Sequence, residues 1–220
     1  MARAGRKRSG ESPRTAGPRG ETRAAIIEAT VETLAALGFS GTSARAVADR
    51  AGVAPGGVFY HFGSMDQLLA EVYTTCLDRR IARLRAAVAV PVEGLSAAFT
   101  DAVRDEFAHV ESRALLELVV GAINSPELAV RVRAGFDTSF AFTREVIEQV
   151  LADSPLAGAL PLDLIAQVAA SAFFGLAVLD LVGADVDIEG MTAMANLMIG
   201  IAAGRIPEIP EGLIRPAAES

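Results

Sequence analysis

Between Thr42 and Phe62 the chain reads Thr-Ser-Ala-Arg-Ala-Val-Ala-Asp-Arg-Ala-Gly-Val-Ala-Pro-Gly-Gly-Val-Phe-Tyr-His-Phe. This order of residues leaves room for little but two short helices joined by a tight corner. Thr42 is placed to cap the first helix, its hydroxyl accepting a backbone N–H. Val47 and Ala48 form an inward apolar edge, while Asp49 and Arg50 stay in water. Gly52 can take the positive φ that stops a helix. Pro55 suits the first position of the next helix, where its missing N–H has no intrahelical partner anyway. Val58 and Phe62, four apart, share one face and pack the second helix back on the first. The pattern is a helix-turn-helix, a unit that lays its second helix in the DNA major groove.

The flanks extend it. Ile26, Ile27, Thr30, Val31, Leu34 and Leu37 make one stripe of a preceding amphipathic helix, which Gly38 ends. After Phe62, Gly63-Ser64 marks a break and a cap before a long helix beginning Met65-Asp66-Gln67-Leu68-Leu69. Over about residues 22–75 this three-helix module resembles the TetR family of one-component transcriptional regulators, and the helical remainder is similar in architecture. The resemblance implies an all-α fold, with an N-terminal helix-turn-helix module and a larger C-terminal ligand-binding and dimerisation domain. The expected organisation is a disordered basic arm at 1–20, a DNA-binding domain at 21–66, a ligand-binding and dimerisation domain at 67–206 and a tail at 207–220.

Charge distribution agrees. The net charge of −7 alone argues against a nucleic-acid partner. Residues 1–62, however, hold 9 Lys and Arg against 5 Asp and Glu, so a basic head of +4 precedes an acidic body of −11. That asymmetry fits a DNA reader joined to a separate sensor. Arg3, Arg6, Lys7, Arg8, Arg14, Arg19 and Arg23 crowd the start of the chain, where Gly, Pro and Ser break any periodicity. Such an arm either adds phosphate or minor-groove contacts or is a solvated tail. No uninterrupted apolar run approaches the roughly 20 residues that span a bilayer, and no apolar stretch follows the basic start. Cys76 is alone and fits a reducing cytoplasm, the expected location.

The resemblance assigns roles to positions. Thr42 matches a phosphate contact, and Arg45 a base-reading position where a guanidinium can fork onto guanine. Ala54, Pro55, Gly56 and Gly57 open the recognition helix with almost no hydrogen-bonding side chain. Readout there rests on close backbone approach, thymine-methyl contact and DNA shape. Phe59 stands where the family usually has Tyr, and Tyr60 offers a phenol one residue on. Met65 stands where the family usually has Lys, which removes one phosphate neutralisation. His61 matches a phosphate-contact position.

Beyond residue 66 the pattern predicts helices at about Met65–Val88, Glu93–Val110, Ala114–Ile123, Glu127–Leu151, from Pro161 to near Gly183, and Glu189–Ala203. The last two are unusually apolar, and a helix apolar all round is buried on both sides. Leu164, Val168, Ala172, Leu176, Leu179, Met194, Leu197 and Ile201 are the candidates for a homodimer interface, with Ala169, Ala172 and Gly175 allowing close approach. Seven of the ten Phe lie in this body. In the family a ligand is enclosed there, in an apolar pocket with a few polar anchors. The candidates are Phe99, Val103, Phe107, Phe136, Phe140 and Phe174, with Glu117, Asn124, Thr143 and Gln167 as anchors. Leu68, Leu69 and Val72 of the fourth helix are placed to pack on the head, and Leu77, Ile81 and Leu84 to face the body.

Enzyme chemistry finds no foothold. There are two histidines, no nucleophile elbow, no phosphate-cradling glycine loop and no metal-ligand spacing. Asp105 and Glu106 are neighbours on a helix and point apart. No cofactor and no catalytic or metal-binding residue is expected. The expected partners are a palindromic double-stranded operator, a small apolar or amphipathic inducer and a second copy of the chain. An α-helical adaptor or ligand-binding protein with weak or no specific DNA binding is the alternative.

Overall fold

The computed structural model describes residues 18–90, 92–202 and 204. The basic arm up to residue 17 and the tail from 207 lie outside them. The described residues form nine α-helices and one 3-10 turn, with no strand among them. α1 is Pro18–Gly41, α2 Ala44–Ala51, α3 Pro55–Phe62, α4 Met65–Ala87, α5 Val92–Ala108, α6 Val110–Gly121, α7 Pro126–Val150, α8 Leu162–Leu181 and α9 Ile188–Ala202, with the 3-10 turn at Ala122–Asn124. The first turn of α1 begins inside the segment read from sequence as the arm. α6 starts four residues before the Ala114 expected from the pattern, and what was taken for its end is the 3-10 turn.

Capping explains most boundaries. Ser43, not Thr42, caps α2, its Oγ accepting the Ala46 N–H at 3.2 Å. The Thr42 hydroxyl instead donates back to the Gly38 carbonyl at 2.8 Å. Ser43 has the extended backbone of an N-cap (φ −123°, ψ 160°), which aims its hydroxyl at the N3 amide. Gly52 ends α2 in the left-handed region (φ 68°), Pro55 opens α3, and Ser64 caps α4 through the Gln67 N–H. Ser125 caps α7 and donates to Asp66 at 2.9 Å, which ties the starts of α4 and α7 together.

One core runs from the head into the body. Ile26, Leu34, Val47, Val58, Leu68, Val72, Leu118 and Leu128 all belong to it. Leu77 joins that core, while Ile81 and Leu84 help cover a smaller cluster with Val88, Phe142 and Val150. α6 lies along α1, and α7 packs between α4 and α8. Leu37 departs from the predicted stripe and is exposed. α1 kinks at the next residue, Gly38 (φ 72°, ψ 178°). Cys76 is fully buried, and burial pushes its thiol up to about 12, so the thiolate needed for redox chemistry does not form near neutral pH.

Within the single chain α8 is covered on one side only. Leu164, Val168 and Leu179 are exposed, as are Met194 and Ile201 of α9. Leu176, predicted at the same interface, points inward and is 9% exposed. α8 and the Arg19–Gly41 stretch are also long and apolar enough to cross a membrane by length and composition. In α8, Asp163, Gln167 and Asp180 interrupt the apolar run without lowering its mean hydropathy much.

Candidate nucleic-acid interface and ligand compartment

Val47 and Ala48 of α2 and Val58 and Phe62 of α3 are the buried residues of the motif. Their burial fixes which faces remain outside. Pro55, Gly56, Phe59 and Tyr60 are exposed, and Tyr60 is 68% exposed although aromatic. An added Cβ at Gly56 would meet nothing within 4 Å, so that turn of backbone is open to a close partner. Gly57 is half-buried, in ordinary reach of Val53. His61 sets its ring edge-on to Tyr60 at 5.2 Å. Arg45 is almost fully exposed, and its contact with Asp49 is 3.9 Å long. A pair so loose and wet contributes little and leaves the guanidinium free for a new acceptor.

Sequence reading missed one member of this surface. Arg19, assigned there to the arm, lies in α1 with its guanidinium 5.1 Å from the Tyr60 ring centre. It brings a cation to the exposed side of α3, beside the Tyr60 ring. Arg23, one turn on, stacks over Phe62 at 4.7 Å and pairs with Glu71. Only packing of α1 against α3 and α4 brings these residues together.

The head is clamped to the body by charges. Arg79 of α4 pairs with Glu28 of α1 at 2.6 Å and with Glu111 of α6 at 2.9 Å. Arg83 pairs with Glu111 and, at 3.1 Å, with Glu106 of α5. Burial alone would raise the Glu111 carboxyl, but hydrogen bonds from Arg79 and Arg83 hold it below its ordinary 4.5. A carboxyl lowered on folding contributes stability above about pH 4.5, and that stability is lost as pH falls through the lowered value. Acid unfolding followed by circular dichroism should therefore be less steep in Glu111→Gln than in the wild type below about pH 4.5. Equal slopes would show that Glu111 does not carry this dependence.

A second clamp holds the corner before α2. Glu117 of α6, named above as a ligand anchor, accepts the Phe39 N–H at 2.8 Å. Its role in the structure is to hold the α1 kink, which removes it from the ligand anchors. The Phe39 ring lies on Gly121, so closely that a side chain at 121 would overlap it.

The other predicted ligand residues divide. Phe136 is 6.0 Å from Phe140 and 5.8 Å from Phe174, and Phe107 is 5.4 Å from Phe173, which the prediction omitted. Val103 is buried on the same helix as Phe107. Thr143 donates to the Ser139 carbonyl at 2.9 Å, within its own helix. Asn124 and Gln167 are exposed and correct the anchor assignment. The Phe99 side chain lies outside the described residues. Among the described residues no group of three or more His, Cys, Asp or Glu is placed to hold a metal.

Residues 26–72, which run from within α1 into the first third of α4, match the model of bacterial regulatory proteins of the tetR family. Over this head the chain is similar to the TetR family. An HTH-type transcriptional regulator of Mycobacterium tuberculosis is 33% identical over 113 residues, 50% of this chain and 57% of the relative. The same figures hold for one of Mycobacterium bovis. The match thus spans little more than half the length of these curated relatives. Among solved structures, a TetR-family transcriptional regulator from Rhodococcus sp. has a TM-score of 0.67 and 21% identity, over 83% of this chain and 98% of that one. The fatty acid degradation regulator FadR from Bacillus halodurans has a TM-score of 0.66 and 17% identity, over 84% and 96%. A multidrug binding protein, EbrR, solved with imidazole has a TM-score of 0.60 and 22% identity, over 87% and 92%. These likenesses establish the TetR-type all-α fold over most of the chain.

Proposed function

We propose that this chain is a cytoplasmic TetR-family transcriptional repressor that binds a palindromic operator as a homodimer and is released by a small apolar or amphipathic ligand. The observation that carries the reading is the outward presentation of Pro55, Gly56 and Tyr60 on a packed helix-turn-helix, with Arg45 and Arg19 beside them. In this reading residues 21–66 read the DNA and residues 67–206 hold the ligand and the second copy. Thr42 and His61 contact phosphate, and Arg45 reads a base. The exposed faces of α8 and α9 meet their twins, because two linked recognition helices are needed to read two half-sites. The multidrug binding protein of the same fold makes a small-molecule ligand the natural occupant of the aromatic compartment.

Operator is first selected from random DNA with purified protein, and ligands are then screened by thermal shift. Ligand and operator should oppose each other by the same factor in both directions, typically about 5- to 150-fold. Unchanged ligand affinity in the presence of operator would refute the repressor reading. Arg45→Ala should cost roughly 1–3 kcal/mol of operator binding and relax preference at one base pair per half-site. A loss equal on all sequences would make Arg45 a phosphate contact instead.

A further inference from the structure

Arg80 is the buried charge that the head-to-body clamps do not use up. It lies on α4, between Arg79 and Arg83, but its side chain turns inward and is only 15% exposed. Its guanidinium sits 4.5 Å from the centre of the Phe173 ring on α8. Phe173 in turn packs on Phe107 of α5 at 5.4 Å. The carboxylate nearest to it is Glu106, 2% exposed, with Arg80 Nε at 3.6 Å from Oε1. That distance is too long for a hydrogen bond.

Glu106 is already occupied. Its Oε2 accepts from Arg83 Nε at 3.2 Å, and its Oε1 accepts from Arg83 Nη2 at 3.1 Å and from the Ser112 hydroxyl at 2.7 Å. Arg83 therefore holds both oxygens as a fork, and Arg80 donates no hydrogen bond to any other described residue. Burial pulls the Arg80 guanidinium down from its ordinary value, against the pull of Glu106. The N–H donors of a guanidinium lie in its own plane as a fork, where a carboxylate fits. A buried cation with unspent donors gains most from an anion brought into the same low-dielectric site. A cationic ligand would meet Arg80 and find Glu106 spoken for.

We infer that the ligand compartment takes a planar apolar carboxylate, whose carboxylate forks onto Arg80 while its flat body lies along Phe107 and Phe173. This deepens the ligand-released reading above and rests on it. Arg80 also gives such a ligand a route to the head. Glu106, Arg83, Glu111, Arg79 and Glu28 form a chain of pairs from α5 to α1, and drawing Arg80 away from Glu106 acts at its inner end.

The test uses three matched probes on the full chain: 2-naphthoate, 2-naphthamide and 2-naphthylmethylammonium, titrated calorimetrically. Wild-type protein should bind naphthoate about 10-fold or more tighter than the amide, the expected value of one charge-assisted fork, and the ammonium weakest. Arg80→Met should bring the naphthoate-to-amide ratio to about 1, and Arg80→Lys should keep part of the preference if the methionine variant does not fold. Phe173→Ala should weaken every probe that binds. Equal binding of acid and amide to the wild type, or a ratio unchanged in a folded Arg80→Met, overturns the inference. If the probes bind equally and Phe173→Ala weakens them, the ligand compartment stands and only the carboxylate is wrong. If none binds to protein that still binds operator, the ligand-released reading falls with it.

Discussion

Val168→Glu should turn the protein into a monomer and lower operator affinity by about 100-fold or more. Val168 is 62% exposed in the middle of α8, on the face that also carries Leu164 and Leu179. In one protomer a carboxylate there stays in water and leaves the fold intact. Against a twin helix it would be buried without a partner, which the assembly does not tolerate. Separating two half-site readers removes the advantage of linkage, about 10²- to 10⁴-fold for tethered modules. Light scattering and operator binding should fall together while helicity is kept. Leu176→Glu is the contrast, because Leu176 is buried inside the protomer, so it should unfold the chain instead of splitting a dimer. A Val168→Glu variant that still scatters as a dimer would place the interface elsewhere, and the outward face of α8 would then need another cover.

Gly121→Val should cost roughly 3–5 kcal/mol of stability. The first contribution is overpacking against the Phe39 ring, about 1–3 kcal/mol. The overlap reaches the ring close to its root, at Cγ, and not just the tip of a flexible side chain. Where the Phe39 backbone must shift to relieve the overlap, its N–H bond to the Glu117 carboxylate is strained as well, and a hydrogen bond to a charged group is worth about 1.5–3 kcal/mol. For a chain of this size the melting temperature should drop by about 10 °C or more. Phe39→Ala combined with Gly121→Val should recover part of the loss by removing the overlap. If the single variant melts within a degree of the wild type, Phe39 does not hold α6 as the structure has it.

The residues of the helix-turn-helix were legible because their constraints are local. Gly52 must supply positive φ, Pro55 must begin a helix, and Val58 and Phe62 must share a face, whatever lies around them. The all-α fold followed from the same periodicity. Where two local solutions competed, the pattern could not choose. Ser43 and Thr42 carry the same group, and the backbone angle at the corner decided between them. Leu37 had the right spacing for the core, yet it sits on the last turn before the Gly38 kink and is exposed.

The candidate sites depended on contacts between distant segments, which no local pattern encodes. Glu117 looked like a polar anchor on an apolar helix, and only the packing of α6 along α1 set it on the Phe39 amide, 78 residues away in sequence. Leu176 and Val168 are alike in chemistry and share one helix, but α8 rests on α7 along a single face, so one is core and the other surface. Arg80 was one of four arginines on α4 with nothing in the sequence to separate it. Helical spacing turned Arg79 and Arg83 toward Glu111 and left Arg80 facing Phe173. The sequence alone determined the helices and the DNA-reading motif, through backbone and periodicity. The tertiary structure decided which polar groups are spent on holding the fold and which remain for a partner, because burial and pairing are properties of the packed chain.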